Sequence, residues 1–251
     1  MTPRTIEIQE IVQGHNERIA AENRALFHAA GLFVINVMSA PGSGKTEFLA
    51  RTLKDAGRWS ADGYGATSPG IFPDDWQPVS ERDRLTMAVI VGDLETDNDA
   101  RRLNLTGAEV IQITTGGYCH LDAGMVAEAA REMDLKAADI LIIENVGNMV
   151  CPATFDLGED TRIALLSVTE GEDKPLKYPT LFKRADVVVI NKIDIAEVVG
   201  FKRQAALDNI KRLNANALIF EVSGRTGEGM QHWYRYLQAH CRKEQPQLSH
   251  V

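Results

Sequence analysis

Residues 39–46, Ser-Ala-Pro-Gly-Ser-Gly-Lys-Thr, have the residue types and spacing to hold a chain of phosphates. Gly42 and Gly44 let the backbone curl with its N–H groups pointing inward, and these amides, with the N-terminus of the helix behind them, would take the α- and β-phosphates. Lys45 would reach the β/γ oxygens and the Thr46 hydroxyl would coordinate Mg²⁺. Gly42, Ser43, Gly44, Lys45, Thr46 and Glu47 are therefore the expected phosphate-binding residues. The usual pattern opens on glycine where this chain has Ser39, which requires only that Ser39 adopt an ordinary backbone angle.

A second group concerns the base. Asn191-Lys192-Ile193-Asp194 directly follows the apolar run Val187–Ile190. A carboxylate at Asp194 can accept two hydrogen bonds from guanine N1–H and N2–H₂, which adenine cannot supply, and so selects GTP over ATP. Asn191 would steady the loop and meet the purine N7 edge, the Lys192 stem would lie on the base, and Ser223-Gly224 would offer a backbone contact to the guanine oxygen. A third group concerns the γ-phosphate. Glu144 followed three residues later by Gly147 fits a nucleotide switch, with the carboxylate on a Mg²⁺-bound water and the Gly147 amide sensing the phosphate. Asp93 is the best second carboxylate for Mg²⁺ or for orienting the attacking water, and residues 95–101 would form the first switch. Asp97, Asn98 and Asp99 have a rival explanation as a helix N-cap and acidic first turn. Lys45, Asp93 and Glu144 are the expected catalytic residues. Water attack on the γ-phosphate is the expected reaction, slow because neither a water-positioning glutamine nor an arginine finger is recognisable.

Cys119-His120 and Cys151 form a fourth group, a soft nitrogen and sulfur ligand set suited to Zn²⁺ or Ni²⁺. Ligands from one chain are too few for a closed site, and a symmetric dimer would supply a second copy. Judged on spacing alone, a purely structural Cys-His pair competes with metal binding. Cys241, near a polar tail, reads as incidental.

The elements that must position these residues follow from the pattern of apolar runs. At 251 residues, with 44% apolar and 25% charged content, the chain fits one α/β domain over residues 1–251. Residues 1–30 carry a leading amphipathic helix ended by Gly31, followed by the first strand, the phosphate loop and a helix over residues 45–56. Residues 57–84, with Trp59, Tyr64, Phe72 and Trp76 and no period, read as a loop-rich insertion. Strands are then expected at 87–93, 109–114, 139–147, 162–170, 185–194 and 217–223, with helices at 97–104, 120–134, 202–213 and 227–240. Continuous Val/Ile/Leu runs mark strands buried on both faces, and hence a mainly parallel, doubly wound sheet. The net charge of −8, without a lysine/arginine block, disfavours nucleic acid or anionic membrane as partners. The N-terminus lacks a signal-peptide layout and no apolar run is long enough to span a bilayer, so the cytoplasm is expected. Three cysteines without a Cys-x-x-Cys motif do not suggest a disulfide framework.

Taken together, SAPGSGKT, VGDLETDNDA, TTGGYCHLDA, ENVGNMVCP, SVTEGEDKPLKYP and NKID resemble the hydrogenase nickel-incorporation GTPase family, HypB, over nearly the entire chain. The resemblance implies a signal-recognition-particle-like P-loop fold (the SIMIBI class) and a GTPase that dimerises with nucleotide. It also implies delivery of nickel to the [NiFe]-hydrogenase large subunit precursor together with the metallochaperone HypA, and a metal site made of Cys119, His120 and Cys151. Hydrolysis could then move a ligand, because Cys151 closely follows Gly147. In two respects the chain departs from that pattern. No N-terminal cysteine motif or histidine-rich tract is present, with only His15 and His28 before the phosphate loop, so nickel storage is not expected. The 57–84 segment is also longer than that family usually has between these elements, and Glu47 stands where a second hydroxyl residue is common. A urease accessory GTPase of the UreG type, whose metal motif resembles Cys-Pro-His, is disfavoured by the adjacent Cys119-His120 and by Cys151. A GTP-regulated scaffold or a small-molecule kinase without metal is the remaining alternative; Asp194 and the lack of an evident acceptor-binding region weigh against the kinase.

Overall fold

The strand that feeds the phosphate loop, Phe33–Ser39 (β1), lies at the middle of a seven-stranded parallel sheet and is buried along its whole length. The computed structural model describes residues 8–56 and 85–241, with side chains from residue 13; the 57–84 segment lies outside the described residues. The other strands are Met87–Asp93 (β2), Glu109–Thr114 (β3), Ile140–Glu144 (β4), Thr161–Ser167 (β5), Val187–Asn191 (β6) and Leu218–Glu221 (β7). They are ordered β3-β2-β4-β1-β5-β6-β7. β1 pairs with β4 on one side and β5 on the other, so the strand order reverses at β1 and a crevice opens at its carboxyl end.

Helices cover both faces, which is why the strands read as unbroken apolar runs. Ile35 and Val37 point to one layer, where they meet Phe48 and Leu49 of α2 (Lys45–Ala56) and Trp233 and Leu237 of the last helix, Met230–His240. Val34 points the other way, onto Phe27 of α1 (Ile8–Ala30) and Val126 of the helix Ala123–Arg131. Met38 joins the same face further along, with Phe182 and Ile210. In chain order the remaining helices are α3 (Asn98–Asn104), α4 (Ala123–Arg131), α5 (Lys174–Lys177), α6 (Pro179–Arg184), α7 (Arg203–Leu213) and α8 (Met230–His240). Among the described residues no helix is long and apolar enough to cross a membrane.

Several boundaries differ from expectation, each for a local reason. The helix expected over 120–134 contracts to α4, because Asp122 caps it by accepting from the Met125 amide; Cys119 and His120 are thereby left in a loop. β5 stops at Ser167 rather than continuing through Glu170. Ser167 and Glu170 form a capping box that opens a 3₁₀ turn over Val168–Glu170. β6 ends at Asn191 because Lys192 adopts a left-handed conformation, φ 65°, that turns the chain out of the sheet. β4 ends at Glu144, and residues 145–147 leave the sheet as a loop. The short helices α5 and α6, with Pro175 and Pro179 in their first turns, were not expected at all. Asp97 occupies the N-cap position of α3 but makes no capping bond; its carboxylate accepts from Arg101 instead.

The start of α8 is set by a backbone constraint. Gly229 has φ 75°, and a Cβ there would fall 2.0 Å from the Glu221 carbonyl oxygen at the end of β7. Gly229→Ala is expected to lower stability by about 2–4 kcal/mol, read as a reduced urea midpoint at unchanged slope.

Candidate functional site: a phosphate cradle beside a Cys/His cluster

The carboxyl ends of β1, β2, β4 and β6 and the loop after β7 meet around residues 40–47. Gly42 and Gly44 take φ of 76° and 90°, conformations that leave glycine as the residue of choice, while Ser39 keeps a negative φ. The first helical bond of α2 runs from the Phe48 N–H to the Gly44 carbonyl, at 3.0 Å, so the amides of Lys45, Thr46 and Glu47 lie outside the helical ladder. Those amides and the helix dipole make an anion site.

The cradle is held by the segment that follows β6. Asn191, fully buried, donates from Nδ2 to the carbonyls of Ser43 (3.1 Å) and Gly44 (3.4 Å) and accepts the Gly224 N–H on Oδ1 (3.1 Å). Lys192 Nζ donates to the Gly42 carbonyl at 2.7 Å. Asp194 stands exposed one turn further on. The Ser223 amide donates to the Glu228 carbonyl, which closes the loop after β7 on itself, and Gly224 lies so near α2 that a Cβ would meet the Phe48 backbone at 3.0 Å.

Facing the cradle, Glu144 is 2% exposed and accepts the Thr46 hydroxyl at 2.9 Å on Oε1. Its Oε2 is buried with no hydrogen-bond partner. Burial pushes this carboxyl up to about 7; Lys45 and the Thr46 bond pull it down, and the charges of Asp99 and Asp93 push it up further. A buried carboxylate oxygen left unpartnered beside a hydroxyl and two more acids is a set of hard oxygens short of a cation, which fits Mg²⁺. Asp93 Oδ1 accepts the amides of Glu95 (3.0 Å) and Thr96 (2.8 Å), fixing the start of the loop that leads into α3. Gly147 backs directly onto the cradle: a Cβ there would fall 3.2 Å from Pro41 Cγ and 3.3 Å from its Cα.

Beyond Gly147 in the chain, Cys151 joins Cys119 and His120 in a cluster that could hold a metal ion. The ligand atoms of Cys119, His120 and Cys151 all lie within 4.8 Å of one another, and Cys119 Sγ is 3.8 Å from His120 Nδ1. His120 stacks on Phe155 with 4.0 Å between ring centroids, and its burial lowers its pKa against the opposing pull of Asp122, which favours the neutral, ligating imidazole. Hydrogen bonding with Cys151, then burial, raises the Cys119 thiol. Exposed Tyr118 and Val150 flank the cluster. The third cysteine, Cys241, is half-buried, and burial pushes its thiol up to about 12, which makes it unreactive.

Sequence reading missed three kinds of residue here. Asn148 donates to the Cys119 carbonyl at 3.1 Å, and Asn145 Oδ1 accepts the Leu121 amide at 3.3 Å and that of Val146 at 2.9 Å, so the segment around Gly147 is bonded to the segment around His120. Glu170 Oε2 accepts the Ser43 hydroxyl at 2.7 Å, bracing the cradle from the 3₁₀ turn after β5. Arg102 pairs with Glu47 across the cleft. Ser-Val-Thr-Glu at 167–170 is a capping-box pattern and was a readable signal for Glu170; none marked the others.

A glycine-rich turn between the central strand of a parallel sheet and a helix, with a buried acid at the end of the neighbouring strand, defines a P-loop nucleotide-binding domain. Residues 77–221 match the CobW/HypB/UreG nucleotide-binding domain. The chain is 44% identical over 235 residues to the hydrogenase maturation factor HypB of Azotobacter vinelandii, covering 94% of this chain and 69% of the relative. It is 37% identical to the hydrogenase/urease maturation factor HypB of Helicobacter pylori, covering 94% and 88%. A crystal structure of HypB from Helicobacter pylori in complex with nickel superimposes with a TM-score of 0.76 at 38% identity, covering 91% of this chain and 95% of that one. HypB from Archaeoglobus fulgidus also gives 0.76, at 33% identity, covering 91% and 99%. The chain belongs to the HypB family.

Asn191→Ala would leave the buried Ser43 and Gly224 backbone groups unpaired. A loss of roughly 1–3 kcal/mol in chemical denaturation is expected, and Asn191→Asp, which keeps only the acceptor, should recover part of it.

Proposed function

We propose that this protein is a GTP-hydrolysing metallochaperone of the cytoplasm that binds nickel and delivers it during maturation of [NiFe]-hydrogenase. The observation that carries this reading is the bonding of the Cys119-His120-Cys151 cluster to the loop around Gly147 through Asn148 and Asn145.

In this mechanism the amides of residues 42–47 and Lys45 hold the phosphates and the charge that develops on them, while Asp194 selects guanine. Thr46, Glu144 and Asp93 would hold Mg²⁺, which when bound supplies charge neutralisation at the β- and γ-phosphates. Asp93 and Glu144 orient the attacking water. Gly147, packed on Pro41, senses the γ-phosphate through its amide, and its displacement on hydrolysis pulls Asn148 and with it the Cys119 backbone. Nickel is the cargo; Zn²⁺ suits the same donors. Three donors per chain leave the site incomplete, so a nucleotide-dependent homodimer pairing two clusters would complete it. A HypA-type metallochaperone is the partner expected in the relay, ahead of the hydrogenase large subunit precursor. The Helicobacter pylori relative is named for hydrogenase and urease maturation alike, which keeps a urease-directed role as the second reading.

Metal stoichiometry of the purified protein with Ni²⁺ and with Zn²⁺, with and without GTP analogue and Mg²⁺, tests the proposal alongside mass by light scattering. About one ion per two chains, changed by nucleotide and lost in Cys119→Ala, is the expected result; nucleotide binding without Cys119-dependent metal would leave only a GTP-regulated scaffold. Base selection is checked separately. Asp194→Asn replaces an acceptor by an amide that can donate to the 2-oxo group of xanthine, so hydrolysis should fall at least ten-fold with GTP and appear with xanthosine triphosphate.

A further inference from the structure

Helix α2 carries a carboxylate where it is built to receive phosphate. Glu47 is the last residue whose amide lies outside the α2 ladder, the first helical bond being that of Phe48, and its side chain is 48% exposed. A polyanion seated on the amides of residues 45–47 therefore meets a negative charge on one of the residues that bind it. Across the cleft, Arg102 of α3 places Nη2 on Glu47 Oε2. Its neighbour Arg101 is committed elsewhere, to Asp97 at 2.7 Å. An ion pair as exposed as Arg102 and Glu47, 50% and 48%, contributes little to folding. Its effect falls instead on the charge of the cradle, where the single positive charge of Lys45 and the negative charges of Asp99 and Asp93 already act in opposite senses on Glu144.

We propose that Arg102 sets the affinity of the cradle for nucleoside diphosphates and triphosphates by neutralising Glu47, without itself touching the phosphates. The inference rests on the nucleotide-binding reading above. Phosphate then sees a neutral pair rather than a bare carboxylate, and the helix that follows Asp93 supplies the neutralising charge.

The test is calorimetric titration of GDP into the full chain at low salt, for wild type, Arg102→Gln, Glu47→Gln and the double variant, each first matched to wild type by circular dichroism. Arg102→Gln should bind GDP roughly ten-fold more weakly and Glu47→Gln more tightly by a similar factor, while the double variant, again neutral, returns to within about three-fold of wild type. The loss in Arg102→Gln should shrink in 0.5 M salt, which a merely structural role of Arg102 would not produce. A double variant as weak as Arg102→Gln would overturn the proposal in favour of direct phosphate contact, and unchanged affinity in Arg102→Gln would overturn it outright. GDP binding by wild type with a flat variant series removes this inference alone; no binding by wild type removes the nucleotide reading as well.

Discussion

The arrangement around the cradle depends on one buried acid. Glu144 sits at the end of a strand covered on both sides, 2% exposed, with one oxygen on Thr46 and the other without a partner. An ionised carboxylate in that setting is costly, and the positive charge of Lys45, which the fold places within reach, offsets part of that cost. The sheet order makes this unavoidable. β4 lies next to β1, in register from Phe33 with Ile140 to Val37 with Glu144, so the acid must emerge beside the turn that leads into α2.

The second organising feature is that the loops around the site are joined in pairs by side-chain carboxamides. Asn191 ties the phosphate loop to the loop after β7, and Asn145 and Asn148 tie the Gly147 loop to the Cys/His loop. Carboxamides suit this position because each offers a donor and an acceptor to backbone groups that β-sheet bonding leaves unpaired at strand ends. Such bonds are short-ranged and directional. They hold one geometry firmly and give way over a small displacement, unlike the gradual yielding of packed side chains.

Most of the architecture was legible because parallel strands buried on both faces announce themselves as uninterrupted Val/Ile/Leu runs, and all seven were placed. Their ends were less legible. β5 was drawn too long because Val168 continues the apolar run while the capping box at Ser167 and Glu170, a stronger local constraint, stops it. Helix α4 starts later than its apolar pattern suggests because His120 and Leu121 fit a helical period that Asp122 interrupts. Within the site, contiguous motifs such as the glycine turn could be read directly. The approach of Cys151 to Cys119 could only be guessed from residue type, since β2 lies between the strands that carry them. Asn36 and Asn145 look like polar interruptions of apolar runs until the fold joins them to each other at 3.3 Å and Asn36 to Glu159, also at 3.3 Å.

Helix α1 is bonded to the segments that follow both halves of the Cys/His cluster. Asn16 accepts the Ala123 amide at 2.8 Å and donates to the Asp156 carbonyl at 2.7 Å, Asn23 donates to the carbonyls of Ala123 and Leu157, and Arg24 grips the Asp156 carboxylate at 2.8 Å. Ala123 follows His120 by a single turn of chain, and Asp156 follows Phe155, the ring on which His120 rests. The helix is in effect a splint laid across two loops that Asn145 and Asn148 also join directly. A force applied to its outer surface would be felt as a change in the spacing of the sulfur and nitrogen donors on the far side.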